Sequence, residues 1–348
     1  MNILIIGAGA VGRGFVAPVL AEAGLGAAID FADVDAGLLE RMAGRSRYRT
    51  AFAGPEAYRF VEVPFRRALP ARDLVDLGPY DAVFVSVGVG RYRELAARLR
   101  GAAPCFVLEN TRDAAVRLAE AAGAGTFRFG IPDAIASNVA PPDLLDGDPL
   151  TVVAEPGALI LEGSEAAPDL GPGVTWADAA ALEAHWACKF FIHNTSHAIA
   201  AFLGRLAGHR FVHQAMADNR IGPIVSRGME EVTAALVAFD MVDTGAAAAY
   251  RDREQQRFAN PLLHDPIARV ARDPRRKLAA DDRLVLALQL VHRAGGDATP
   301  IMLGMNAALA CAGADAAAAA DILRGISGLT DRDLIGRVLA ASAAAAVG

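Results

Sequence analysis

The sequence predicts an α/β fold in two domains. A doubly wound, mainly parallel sheet is expected over residues 1–180, and a mostly α-helical domain over 181–348. Three observations predict it. The chain opens with a short apolar strand that runs into a glycine-rich turn and a helix. Strand-like and helical stretches then alternate as far as Asp178. Beyond that point strand signals vanish and nearly every segment repeats its apolar residues at helical spacing.

Asn2-Ile3-Leu4-Ile5-Ile6 is continuous, apolar and β-branched, as expected of a central parallel strand. Gly7-Ala8-Gly9-Ala10-Val11-Gly12 follows at once, and Phe15 to Ala23 reads as a helix. This is G-x-G-x-x-G in the strand–turn–helix context of a Rossmann-type dinucleotide site. Gly7, Gly9, Ala10, Val11 and Gly12 are therefore candidate cofactor-binding residues. The glycines permit a tight turn and close approach of a pyrophosphate, and a helix N-terminus favours the anion. A second strand, Ala28 to Ala32, ends at Asp33, which is placed to take the adenosine ribose hydroxyls. Asp35 adds charge and no arginine follows directly, so NAD is expected over NADP.

Tyr48 to Phe52 and Tyr58 to Val63 read as a strand pair around Gly54-Pro55. Asp81 to Val87 is the next central strand. It ends at Gly88-Val89-Gly90, where Gly88 could let backbone approach the cofactor. Pro104 to Leu108 is another strand and ends at Glu109-Asn110. This places Asn110 where open α/β sheets bind ligands, with a plain turn as the alternative. Leu150 to Ala154 and Ala158 to Leu161 read as strands of an added hairpin. Helices are expected over 184–206, 211–239, 284–292 and 301–312.

The second domain carries Lys189-Phe190-Phe191-Ile192-His193-Asn194-Thr195-Ser196-His197, running into the apolar Ala198 to Leu203. On an α-helical wheel Lys189, His197 and Asn194 fall at about 0°, 80° and 140°, with His193 near 40°. An amine, an imidazole and an amide then share one face. A lysine in apolar surroundings can act as a base near neutral pH. An amide and an imidazole beside it can hold an oxygen whose charge is changing. The same residues also fit a solvated helix start with an Asn-Thr-Ser cap. Arg275-Arg276-Lys277 is either a phosphate clamp, through Arg276 and Lys277, or a solvated basic loop.

Composition narrows the classes. At 53% hydrophobic and 21% charged residues the chain has the makings of a large core and is not disordered. A net charge of −6 gives no basic footprint for nucleic acid. Cys105, Cys188 and Cys311 are dispersed, so neither a disulfide framework nor a metal site is expected. His209, His213, His264 and His292 likewise lack metal-ligand spacing. The N-terminus has no basic run and its apolar stretch is broken by glycines, so no signal peptide is expected. Apolar runs elsewhere are too interrupted to span a bilayer. A cytoplasmic protein is the expectation.

Together these residues resemble the polyol-specific long-chain dehydrogenases. The match takes in Gly7 to Phe15, Phe31-Ala32-Asp33-Val34, Glu109-Asn110 and Lys189 to Gly204. It continues through Leu206 to His209, Arg257 to Pro261, Arg269-Val270, Pro274, Arg276-Lys277-Leu278, Asp282-Arg283-Leu284 and Ile326 to Leu329. The resemblance implies a metal-independent, NAD-dependent oxidoreductase interconverting a polyol phosphate and a ketose phosphate. It implies Lys189 as general base and acid, Asn194 and His197 as holders of the reacting oxygen, Asn110 as a positioning group, and Arg257 as a substrate contact. It also implies a monomer or homodimer. Ser137-Asn138 departs from the Asp-Arg pair usual before the Pro-Pro, here Pro141-Pro142. That departure leaves open a different polyol or a cyclic sugar-like alcohol. A reductase of small 2-keto acids and a catalytically silent NAD-binding module are the other readings.

Overall fold

The computed structural model describes residues 1–99, 103–165 and 167–347. They form two compact units. One comprises Met1–Leu182 with Leu262–His264, the other Glu183–Pro261 with Asp265–Gly348.

The first unit contains twelve strands. They are β1 (Ile3–Ile6), β2 (Ile29–Asp33), β3 (Arg47–Ala53), β4 (Tyr58–Pro64), β5 (Arg67–Pro70) and β6 (Ala82–Val85). Then follow β7 (Cys105–Val107), β8 (Phe127–Asp133), β9 (Ala136–Ser137), β10 (Val152–Ala154), β11 (Ala158–Glu162) and β12 (Val174–Ala177). An eight-stranded sheet runs β12-β11-β8-β7-β6-β1-β2-β5. Its strands from β8 to β5 are parallel, and β11 turns antiparallel against β8. Every residue of β1 and β6 is buried, the pattern of strands covered on both faces.

The expected added hairpin is larger than the sequence indicated. β3 and β4 pair antiparallel, β10 joins β3 in parallel, and β9 closes a separate four-stranded sheet. The two strands expected to form a hairpin, β10 and β11, belong to different sheets. Short, half-exposed β5 and β12 gave no periodic signal.

The four-stranded sheet covers the start of the glycine-motif helix. Residues Gly12–Val16 wind as a π-turn, with the Ala17 N–H bonded to the Gly12 carbonyl five residues back. The Arg13 carbonyl accepts the Tyr48 hydroxyl at 2.6 Å and the Thr50 hydroxyl at 3.4 Å, both from β3. A Cβ on Gly14 would drive into Val152 of β10, so this glycine serves the packing of helix on sheet.

At the start of β2, Asp30 is wholly buried. Arg66 clamps it with two bonds of 2.8 Å, Arg67 adds one at 3.0 Å, and the Tyr80 hydroxyl donates at 2.8 Å. Burial would raise this carboxyl's pKa. The hydrogen bonds from Arg66, Tyr80 and Arg67 more than reverse that and hold it below its ordinary value.

Among the described residues the second unit carries helices and no strand. Its central element is the helix Thr195–Leu206, buried from Thr195 through Gly204. Helices Ile221–Ala238 and Thr299–Cys311 pack on it. Ile199 lies against Gly228 and Gly304, where an added Cβ would meet it at 3.2 Å and 2.8 Å. The long helix expected over 211–239 is broken at Asp218, which accepts the N–H groups of Arg220 and Ile221 and restarts the chain. No helix is long and apolar enough to cross a membrane among the described residues.

Asp30→Asn should lower the stability of the chain by about 1–3 kcal/mol at pH 7, because a buried amide cannot accept all the hydrogen bonds that the carboxylate takes from Arg66, Arg67 and Tyr80. A depressed carboxyl pKa stabilises above its unfolded value and ceases to do so as pH falls through the folded value. The deficit, read by chemical denaturation, should therefore persist at pH 7 and shrink below about pH 4. A deficit that does not change with pH would remove the charge from the explanation.

Candidate active site

The glycine loop follows directly from β1. Gly7 has φ +97°, and a side chain there would strike the Ser86 carbonyl; a Cβ on Gly12 would strike the Gly7 carbonyl. The fold itself requires both glycines. Gly9 differs, because an added Cβ would meet nothing within 4 Å. A pocket of about 480 Å³ opens beside Gly7, Gly9 and Asp33, and Arg72, Arg91 and Arg98 also line it. The Asp33 carboxylate accepts the Ala8 N–H at 2.6 Å on one oxygen and the Val34 and Asp35 N–H groups at 2.7 and 2.9 Å on the other. Arg13, buried behind the loop, donates from Nε to the Ala8 carbonyl at 2.6 Å and from Nη1 to the Leu150 carbonyl. The loop is thus held by a carboxylate on its amide and a guanidinium on its carbonyl.

Other candidates in this unit lie elsewhere. Ala10 and Val11 are half-buried against the core, and the described pocket wall does not include them, Gly12, Gly88 or Asn110. Gly88, at φ +84°, donates its N–H to Glu109 Oε1 at 2.6 Å, so Glu109 ties the loop after β6 to the end of β7. Burial raises the Glu109 pKa against the pull of the Gly88 and Val87 amides. Asn110 is exposed. Asp35 is not at the pocket: it caps the helix Ala36–Met42 by accepting the Leu38 N–H at 3.0 Å. The sequence offered no sign of the three arginines, which come from separate segments.

In the helical unit the stretch Cys188–Asn194 is a π-helix between the α-helices Ala179–Ala187 and Thr195–Leu206. The α-helical wheel therefore misplaces these side chains. A π-turn takes roughly 4.4 residues and bonds i to i+5, so Lys189 and Asn194 stand nearly one above the other. Lys189, His193, Asn194 and His197 are all buried. Asn194 Nδ2 and Ser196 Oγ are buried with no hydrogen-bond partner among the described residues. A buried amide left in that state has a donor available for something else.

Two carboxylates that sequence reasoning did not single out organise the histidines. His193 Nδ1 lies 2.6 Å from Glu254 Oε2, whose other oxygen takes Arg257 Nη1 at 2.6 Å. His197 Nε2 lies 2.6 Å from Asp265 Oδ2, and Arg269 binds the other oxygen from Nη2 at 2.5 Å and Nε at 3.2 Å. Phe258 packs against both imidazoles. The available signal was the spacing: Glu254 and Arg257 are i, i+3, and Asp265 and Arg269 are i, i+4. Arg257 is thus buried against a carboxylate of its own helix, Thr244–Ala259.

Arg276 and Lys277 do not form one clamp. Arg276 is over half exposed and pairs with Asp282 at 2.8 Å. Lys277 is buried, and its Nζ donates to the carbonyls of Val270 and Arg272. Burial, with Arg283 and Arg276 nearby, pushes the Lys277 amine down to about 7. Ser137, part of the departure from the family pattern, is buried in β9 and accepts the Val139 N–H at 3.1 Å. Among the described residues no three His, Cys, Asp or Glu side chains are grouped to hold a metal ion.

The comparisons bear on this geometry. Residues 181–323 match the family described as Mannitol dehydrogenase C-terminal domain. Among solved structures, the chain is similar to Pseudomonas fluorescens mannitol 2-dehydrogenase in a ternary complex with NAD and D-mannitol. That match has a TM-score of 0.71 and 16% identity over 98% of this chain and 90% of that one. A substrate-free D-sorbitol dehydrogenase matches with a TM-score of 0.72 and 15% identity, over 100% of this chain and 95% of the other. A probable 2-dehydropantoate 2-reductase from Bacillus subtilis matches less well, at 0.52 and 14% identity, over 89% and 99%. At such identities these structures speak for the fold. The family match covers the segment that holds the Lys189 π-helix, both histidine–carboxylate pairs and Lys277. That segment is similar to the C-terminal domain of mannitol dehydrogenases.

Proposed function

We propose that the chain oxidises a polyol to a ketose with NAD, with Lys189 as the general base. The observation that carries this reading is the π-turn, which sets a buried lysine one turn from an asparagine whose buried Nδ2 has no partner among the described residues. Gly7, Gly9 and Asp33 would hold the cofactor in the first unit, and Gly9 fits that role because its lack of a side chain serves no contact within the chain. When bound, the nicotinamide supplies the acceptor for the hydride leaving the carbinol carbon. Lys189 Nζ takes the hydroxyl proton and returns it in the reverse direction. Asn194 Nδ2 donates to the oxygen as negative charge gathers on it.

The mannitol-bound neighbour supports a polyol substrate. The finer resemblance is to mannitol-1-phosphate 5-dehydrogenase, which would make the substrate phosphorylated. The free polyol is better supported here, because Lys277 faces two carbonyls and Arg276 faces Asp282. NAD is favoured over NADP because a 2′-phosphate would meet Asp33, although Arg72, Arg91 and Arg98 on the same pocket temper the repulsion.

NAD-dependent oxidation of D-mannitol, D-sorbitol and mannitol 1-phosphate tests the proposal directly. Turnover of a free hexitol with a lower KM than the phosphate ester is expected. Inertness toward all three, with NADH still bound, would leave only a nucleotide-binding module.

The glycines separate by cause. Gly9→Ala should fold with near-normal stability and bind NADH at least roughly tenfold more weakly, since its Cβ fills ligand space. Gly12→Ala should lose stability instead, by about 1–3 kcal/mol, because its Cβ strikes a backbone carbonyl. Calorimetry and fluorescence titration of NADH read the two effects apart.

Lys189→Met should lower turnover by about 10²–10⁴-fold or more while NADH binding persists. Lys277→Met is the control, expected to stay within about tenfold of wild type. Its amine falls to about 7 in the fold, against about 10.4 in the unfolded chain. The unfolded state then binds more protons between those values, so wild-type stability gains with rising pH and the Lys277→Met protein lacks that gain. Loss of turnover in Lys277→Met with retention in Lys189→Met would move the base to Lys277.

A further inference from the structure

Another cavity in the first unit, of about 280 Å³, shares no residue with the pocket beside the glycine loop. Phe15, Val19 and Phe52 form its floor, and each is buried. Two exposed turns, Pro156-Gly157 and Pro172-Gly173, form its walls. Both press closely on the body of the unit: a Cβ on Gly157 would strike the Asp133 carbonyl, and one on Gly173 would meet Val19 at 2.7 Å. Each proline also fixes its own φ, so these walls are stiff. Among the described residues, the charged groups at the cavity are Glu22, at the end of the helix Ala17–Glu22, and Arg59 of β4. Arg59 Nη1 lies 2.5 Å from Glu22 Oε1, and its guanidinium stands 5.0 Å over the Phe52 ring. Their side chains are 55% and 45% exposed, Arg59 first. An ion pair so open to water contributes little to stability and parts at small cost.

The cavity therefore offers an apolar interior with a guanidinium and a carboxylate side by side at its mouth. A plain carboxylic acid would pair with Arg59 and meet a like charge at Glu22. An amine would pair with Glu22 and meet a like charge at Arg59. A hydrocarbon would cover the floor and leave the ion pair as it is. An α-amino acid carries both charges on one carbon, beside its side chain, and can satisfy both groups at once. We propose that this cavity binds a free α-amino acid with an apolar side chain, of the phenylalanine or leucine kind. Its carboxylate takes donors from Arg59, its ammonium group donates to Glu22, and its side chain lies on Phe15, Val19 and Phe52. The volume falls just below the roughly 300–1,000 Å³ of pockets for drug-sized ligands, as suits a smaller molecule. None of these residues belongs to the glycine loop or to Lys189–His197, so binding here is separable from dehydrogenase activity.

Calorimetric titration of the full-length protein with L-phenylalanine tests it. A Kd of about 1 mM or lower is expected, within reach of a ligand of roughly a dozen heavy atoms. The compounds 3-phenylpropionate, which lacks the ammonium group, and 2-phenylethylamine, which lacks the carboxylate, isolate the two charges. Each should bind at least about tenfold more weakly, because each gives up one charge-assisted bond. Arg59→Gln and Glu22→Gln should keep near-normal stability and each lose about tenfold or more in affinity for L-phenylalanine. In Arg59→Gln the gap between L-phenylalanine and 2-phenylethylamine should close, the signature of a coupled pair. Methyl NMR locates the bound side chain, with the Val19 signals assigned by their loss in Val19→Ala. Those signals should shift as L-phenylalanine is added. Absence of L-phenylalanine binding at about 10 mM overturns the proposal. So does binding that leaves the Val19 methyl groups unmoved, or that is unchanged in both variants. Binding of 3-phenylpropionate as tight as that of L-phenylalanine would make this a carboxylate site, and equal binding of 2-phenylethylamine an amine site; either overturns the assignment to an amino acid.

Discussion

Two buried carboxylates, Glu254 and Asp265, hold the polar segment of the helical unit in place. Each bridges an imidazole of the Lys189–His197 stretch to an arginine on its other oxygen. Buried charged side chains left unpaired would be expensive in an apolar interior. Paired in this way, each carboxylate is bonded on both oxygens and each imidazole is tied to a carboxylate. Asn194, whose Nδ2 has no partner among the described residues, and Lys189 beside it then stand on a rigid support. A site whose donors are positioned before the reaction avoids the cost of reorganising during it.

The π-turn has a related consequence. An inserted residue within a long buried helix disturbs its bonding, and such turns persist where something is gained. Here the turn changes which residues share a face. Lys189 and Asn194, separated by five positions, are brought into line, and Asn194 Nδ2 is left buried without a partner among the described residues. The chain carries another π-turn at Gly12–Val16, directly after the glycine loop. There the disturbed carbonyl of Arg13 is satisfied by the Tyr48 and Thr50 hydroxyls, while the Arg13 side chain holds the Ala8 carbonyl. Both candidate sites thus adjoin a local departure from α-helical winding that the surrounding structure compensates.

Electrostatics in the first unit follow a comparable logic. Asp33 fixes the glycine loop through the Ala8 amide as well as facing the pocket. Its two tasks are coupled, so removing it would loosen the loop along with any discrimination at the ribose. Glu109 plays a comparable part for the loop after β6, through the Gly88 amide. Arg72, Arg91 and Arg98 bring positive charge to the same pocket from segments between β5 and β7. That arrangement suits an anionic ligand, and it is invisible to a reading confined to the residues after Asp33.

The sequence by itself determined the class of fold and the glycine loop. Apolar runs such as Ile3–Ile6, and the glycines that no side chain could replace at Gly7 and Gly12, are local facts dictated by backbone sterics and burial. It also singled out Lys189, Asn194 and His197, because an amine, an amide and an imidazole at close spacing ahead of an apolar helix are legible in one dimension. Only the tertiary structure decided what each of them faces. The wheel assumed α-helical winding, and the segment winds as a π-turn instead. Glu254 and Asp265 are 61 and 68 residues from the histidines they hold, and such pairings are set by packing that no local pattern encodes. Lys277 read as part of a phosphate clamp or of a solvated basic loop, and it lies buried on two carbonyls, because the side chain's direction depends on which helices enclose it. Propensity and periodicity describe how a segment folds. What the His197 imidazole faces depends on a carboxylate brought from the segment ahead of another helix.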